Sequence, residues 1–243
     1  VRADGQESGA QLAGLVAAQE GDTLVFAMPA AAKDVVGYNL YTTMLDGDIL
    51  YLASTAGLGG TIACTAGATS MSELTSQYMQ PPPAGHLTVF YRGVMYVAVG
   101  SDIYPSEPFA YEWFDYRKAF SFDGKVTMMC GIDSSEQGGL FVGTDRSCGV
   151  LSGSSPSEFK YTPRTDYGAI ENAVTYVDGA LYGDDSLGGK QIPVWLTTQG
   201  VCVGLPSMDI MNVTRTKYTI PAQGRGAALF QSGSNKLILT SNF

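Results

Sequence analysis

The sequence predicts an all-β protein: a small antiparallel β-sandwich over residues 1–80, then a partial or complete β-propeller over residues 81–243. Three observations predict it. Short apolar or alternating runs bounded by Gly, Pro, Asn and Asp recur along the chain, whereas helical periodicity is scarce. Pro81-Pro82-Pro83 cannot donate to a ladder or continue a helix, so it marks a boundary. After it a strand–turn–strand unit returns, at spacings of 45 and 54 residues from Met95 to Leu140 to Val194.

In the first region, Thr23–Met28 is an apolar run stopped by Pro29. Val35–Thr43 alternates, with Val36, Tyr38, Leu40 and Thr42 on one face. Asp46-Gly47-Asp48 reads as a turn, and Ile49–Ala53 as the returning strand. Thr61–Thr65 is a further short strand. Val1–Ala3 reads as the end of a strand and Asp4-Gly5 as a turn, so the sandwich is expected to have its first strand upstream. Two segments carry weak helix signals. Gln11–Gln19 is rich in Ala and Leu, and Ser70–Tyr78 offers Ser70 and Glu73 at capping-box spacing.

In the second region the unit reads Arg92–Ser106, then Gly138–Gly153, then Pro193–Pro206. Each copy holds an apolar strand carrying an aromatic (Tyr96, Phe141, Trp195), a polar turn and a second strand. Another strand precedes each hairpin: Leu87–Tyr91, Lys125–Ile132 and Ala173–Val177. A fourth, partial copy runs from Ala227 to Leu239. This period with three or four strands per unit predicts propeller blades. A single sheet cannot bury both its faces, and radial stacking buries both while leaving only short edges.

Composition limits the chemistry. The 243 residues carry a net charge of −9, divided as −6 before Pro81 and −3 after it. No basic run exceeds Arg117-Lys118, so the clustered cations that hold a phosphate backbone are missing and no sequence-specific nucleic-acid binding is expected. No apolar stretch reaches the roughly 18 residues of a membrane-spanning helix. Cys64, Cys130, Cys148 and Cys202 form no CxxC pair, and His86 is the sole histidine, so neither a zinc site nor a Ser–His or Cys–His pair is expected. Asp166, Glu171, Asp184 and Asp185 lie near one another in sequence and could serve glycoside hydrolysis, but the Tyr182–Gly189 stretch holding two of them reads as a loop. No catalytic, cofactor-binding or metal residue is assigned, no cofactor is expected, and the chain reads as a non-enzyme. Trp113 and Tyr116 are the aromatics that could stack on a sugar.

Pro193–Gly204, Gly138–Thr144 and Leu151–Phe159 resemble recurring blades in virion proteins of tailed bacteriophages. Asp4–Gly9 and Gly37–Tyr41 resemble a fibronectin-III-like module inserted in those propellers. The resemblance implies a virion location and a structural, ring-forming homo-oligomer of the tail or head–tail junction, of nozzle or hub type, through which DNA passes. Its implied partners are other virion proteins. The alternative is a receptor- or glycan-binding module of the tail or surface. The resemblance brings no catalytic residues.

Overall fold

The computed structural model describes residues 1–3, 5, 7, 10–31, 33–132, 139–183, 187–214, 217, 219–220 and 224–242. Strands make up 53% of it and no helix reaches seven residues, so the protein is all-β. Among the described residues no helix is long and apolar enough to cross a membrane. The chain divides into two compact units, Val1–Gln80 and Pro81–Phe243.

The first unit holds β1 (Thr23–Ala27), β2 (Gly37–Thr43), β3 (Leu50–Gly57), β4 (Thr61–Thr65) and the two-residue β5 (Met79–Gln80). β1 pairs antiparallel with β4, and the β2–β3 hairpin lies between them in sequence. A bulge between Leu40 and Tyr41 shifts the β2–β3 register, so the alternation expected across Val36, Tyr38, Leu40 and Thr42 breaks after Leu40. The core is small, with Ile62, Cys64, Ala66 and Leu74 buried.

Neither weak helix signal yields a helix. Gln11–Gln19 takes up no regular structure, and Leu12 and Leu15 are exposed. Without an apolar stripe at 3.6-residue spacing, a helix there would bury nothing, and Gly14 disfavours it further. Ser70–Leu74 instead runs along β3. Its backbone exchanges hydrogen bonds with Leu50 and Leu52, and the Ser70 hydroxyl donates to the Leu52 carbonyl at 2.8 Å. The would-be cap is thereby committed to the strand edge.

The second unit builds three antiparallel meanders. The first is β6 (Leu87–Tyr91), β7 (Val94–Val99), β8 (Asp102–Glu107) and β9 (Ala110–Asp115), with β10 (Phe120–Ser121) beside β8. The second is β11 (Val126–Ile132), β12 (Gly139–Thr144), β13 (Cys148–Ser152) and β14 (Lys160–Thr165). The third is β15 (Ala169–Asp178), β16 (Gln191–Thr197), β17 (Gly200–Gly204) and β18 (Ile210–Asn212). The hairpin β19 (Arg225–Gln231) and β20 (Lys236–Asn242) joins β15 through one parallel pair, Glu171 with Arg225. Among the described residues no sheet closes on itself.

The meanders stack face to face. Tyr91, Val94, Tyr96, Ala98 and Ile103 of the first meet Val126, Met129, Leu140, Val142 and Leu151 of the second. The opposite face of the second, with Met128, Cys130, Phe141 and Val150, meets Val177, Ile192, Val194 and Trp195 of the third. The middle sheet is therefore covered on both faces. All six residues of β12 are buried, which is why Gly139–Thr144 reads as a continuous apolar run rather than an alternating one. The Phe141 and Trp195 rings lie 5.6 Å apart across the interface. Glycines set the closest approaches: a Cβ on Gly143 would come within 2.6 Å of the Ala169 Cβ on the next sheet.

The first strands of successive meanders run side by side in one direction. His86, just before β6, meets the Val126 carbonyl at the start of β11, and Tyr91, at the end of β6, donates to Ile132 at the end of β11. Thr127 near the start of β11 likewise donates to Ala169 at the start of β15, and Tyr176 late in β15 donates to Gly131 late in β11.

Candidate functional site

The first strands bring four polar side chains to one end of the stack: His86, Lys125, Glu171 and Arg225. Each stands just before, or near the start of, such a strand. A Cβ at Gly85 would lie 2.6 Å from the Ala98 carbonyl oxygen, and its absence lets the chain enter β6 close to β7. The His86 backbone N–H then donates to that carbonyl at 3.0 Å. Its ring Nε2 lies 2.7 Å from the Val126 carbonyl oxygen. A carbonyl can only accept, so Nε2 carries the proton and is committed to holding β6 against β11.

Glu171 is the centre of the cluster. Asn172 takes a left-handed conformation with φ of 63°, and the β15–β16 register shifts between Ala169 and Val174. Asn tolerates this region better than most residues, and the bulge directs Glu171 away from the regular ladder. Its Oε2 receives Lys125 Nζ at 2.7 Å, and its Oε1 lies 3.8 Å from Arg225 Nε. The Lys125 hydrogen bond holds the Glu171 carboxyl below its usual range against the opposing effect of burial, with the charges of Lys125, Arg225 and His86 adding to it.

This electrostatic setting decides the chemistry of Glu171. A general acid in glycoside hydrolysis needs a carboxyl kept protonated by a raised pKa, with a second carboxylate opposite. Glu171 is instead held ionised among cations. Asp166 lines a separate open hollow of about 440 Å3 with Arg164, Tyr167 and Asn212. Asp184 and Asp185 lie outside the described residues, as do Gly138 and most of Asp4–Gly9. The arrangement around Glu171 is suited to joining strands.

The other candidates fall in separate places. All four cysteines are free and buried. Cys130, Cys148 and Cys202 share the core between the second and third meanders, where burial pushes the Cys148 thiol up to about 12 and raises Cys130 and Cys202 as well. A thiol so desolvated is a poor nucleophile. The turn expected at Asp46-Gly47-Asp48 lies slightly earlier, over Met44–Gly47, closed by Gly47 N–H donating to the Met44 carbonyl at 3.0 Å. Among the described residues no three His, Cys, Asp or Glu side chains converge on a metal position.

Of the two aromatics singled out for sugar stacking, Trp113 is half-buried. Tyr116 packs against Tyr104 and donates to the Pro81 carbonyl. The more open aromatics are Phe109, 80% exposed, and Phe90, 63% exposed, the latter edge-on to Tyr111 at 5.3 Å. Sequence reasoning missed these two, as it missed Lys125 and Arg225. A signal existed for Phe109, an apolar residue after proline in a turn between strands. For Lys125 and Arg225 no sequence spacing carried a signal.

Set beside known proteins, the chain matches no family model and no curated sequence.

Proposed function

We propose that the chain is a structural component of a tailed-phage virion, a ring-forming tail or head–tail junction protein of nozzle or hub type through which DNA passes. On this reading the second unit is an arc of β-propeller and the first is a fibronectin-III-like sandwich. The observation that carries the reading is the alignment of first strands. β6, β11 and β15 each open a four-stranded meander, lie side by side in one direction, and are followed by β19 against β15. Blades around a central axis are arranged in this way. The pairing of β1 with β4 around the β2–β3 hairpin supports the sandwich reading. The net charge of −9 suits a wall that DNA passes without adhering, because like charges repel. Quantitative mass spectrometry of purified virions tests the proposal. Peptides of this chain at a fixed copy number per particle are expected, and their absence from intact particles would overturn it.

A second reading, a glycan- or receptor-binding surface module, is favoured by exposed Phe90, Phe109 and Tyr111. Aromatic faces in the open are the usual platform for sugar rings. Glycan-array binding lost in both Phe109→Ala and Tyr111→Ala would support it. Binding that survives both substitutions, or no binding at all, would remove it.

A further inference from the structure

We propose that Glu171 is an electrostatic latch that keeps the β19–β20 hairpin docked on β15 and releases it when the carboxylate is protonated. The hairpin lies at one edge of its sheet, and its packing on β15 rather than a long backbone ladder holds it there. Its backbone joins β15 through one parallel pair, formed by Glu171 itself with Arg225. Its inward residues on β19 include Gly226 and Ala228, which offer little apolar area; only Phe230 and Leu239 reach the cores below. Its outward face is bare, with Leu229 60% and Ile238 41% exposed. An element with one covered face and a single backbone junction opens at low cost.

The ion pairs sit at that junction. Glu171 holds Arg225 of the hairpin with one oxygen and Lys125, at the entry to β11, with the other. One half-buried carboxylate, 13% exposed, thus ties the hairpin to both neighbouring first strands. The charged and titratable groups that act on it are Lys125, Arg225 and His86. Protonation removes the negative charge that both cations share and leaves Lys125 and Arg225 near each other without it. Because those cations depress the carboxyl's proton affinity, the latch holds at neutral pH and loosens as pH falls below the ordinary carboxylate range. Release uncovers the β15 edge and the small apolar patch of Ile170 and Ala173 that Gly226 now covers.

Hydrogen exchange of the whole chain, read by mass spectrometry and corrected for intrinsic pH dependence, tests the latch. At neutral pH, Glu171→Gln is expected to speed exchange across β19–β20 about two- to fivefold while β11–β13 stay as protected as before. Wild type taken progressively below the ordinary carboxylate range should approach the same hairpin rate, and Glu171→Gln should gain little over that interval. Arg225→Gln, which leaves the Lys125 pair intact, should give a smaller acceleration confined to the hairpin. Hairpin exchange equal to wild type in both variants would overturn the latch. So would an acid acceleration that persists undiminished in Glu171→Gln.

Discussion

The middle meander and the terminal hairpin are built from similar material and meet different fates. β12, Gly-Leu-Phe-Val-Gly-Thr, is buried at every position, whereas β20, Lys-Leu-Ile-Leu-Thr-Ser-Asn, is buried at none. Both lie second in their run of strands and both carry three consecutive large apolar or aromatic residues. The difference is the neighbour. β12 has a sheet against each face and a strand against each edge, and β20 has one strand, β19, and one covered face. Strand propensity makes either segment extended, and the number of covered faces decides how much each contributes to stability.

The largest effects are expected in the doubly covered sheet. Trp195→Ala or Phe141→Ala should lower unfolding free energy by about 3–5 kcal/mol, read as a drop in urea midpoint, because each ring fills the interface between two sheets. A loss of under about 1 kcal/mol in either would mean that the two sheets are not in register as described. Gly143→Val should follow at about 1–3 kcal/mol, since its new Cβ meets Ala169 and has nowhere to move. Differential scanning calorimetry would detect this as a fall of several degrees.

Intermediate effects are expected where polar groups join first strands. Tyr176→Phe removes the hydrogen bond to the Gly131 carbonyl, 2.8 Å long, and should cost about 1 kcal/mol. Acid should weaken two ion pairs, a local one at the end of β9 and the one between first strands. The Asp115 carboxyl, hydrogen-bonded by Arg117, and the Glu171 carboxyl are both held below their usual range. A group with a depressed folded pKa contributes fully above its unfolded value, near pH 4, and loses that contribution as pH falls through the folded value. Stability of wild type should therefore decline below about pH 4, and the double variant Asp115→Asn, Glu171→Gln should decline less steeply. Equal slopes in the two would dissociate those carboxylates from acid sensitivity.

The smallest effect is expected on the bare face. Leu229→Ser, at a side chain 60% exposed, should change the urea midpoint by no more than the equivalent of about 0.5 kcal/mol. A large loss there would show that the outward face of the hairpin is covered in solution and would narrow the contrast with β12.

Most of the strands could be read in the sequence because they are short apolar runs closed by turn residues. Leu87–Tyr91, Thr61–Thr65 and the hairpins around Tyr96, Phe141 and Trp195 all stand where their patterns put them. The misleading segments were those whose signal was local. Ser70 and Glu73 have capping-box spacing, but β3 offered Ser70 a carbonyl acceptor from a distant part of the chain. The Leu40–Tyr41 bulge leaves no mark that a period-two pattern can register. The charged cluster was only half visible. Glu171 and His86 drew attention as reactive residue types, yet what brings them near Lys125 and Arg225 is the stacking of four separate strand starts, a relation without fixed sequence spacing.

Electron cryomicroscopy of the protein in its assembled form tests the central claim most directly. The account predicts a particle with a rotation axis, and within each subunit the β6, β11 and β15 strands side by side nearest a common centre with β9, β14 and β18 outermost. Subunits that stay monomeric, or meanders stacked as flat layers with no centre toward which their first strands converge, would contradict it.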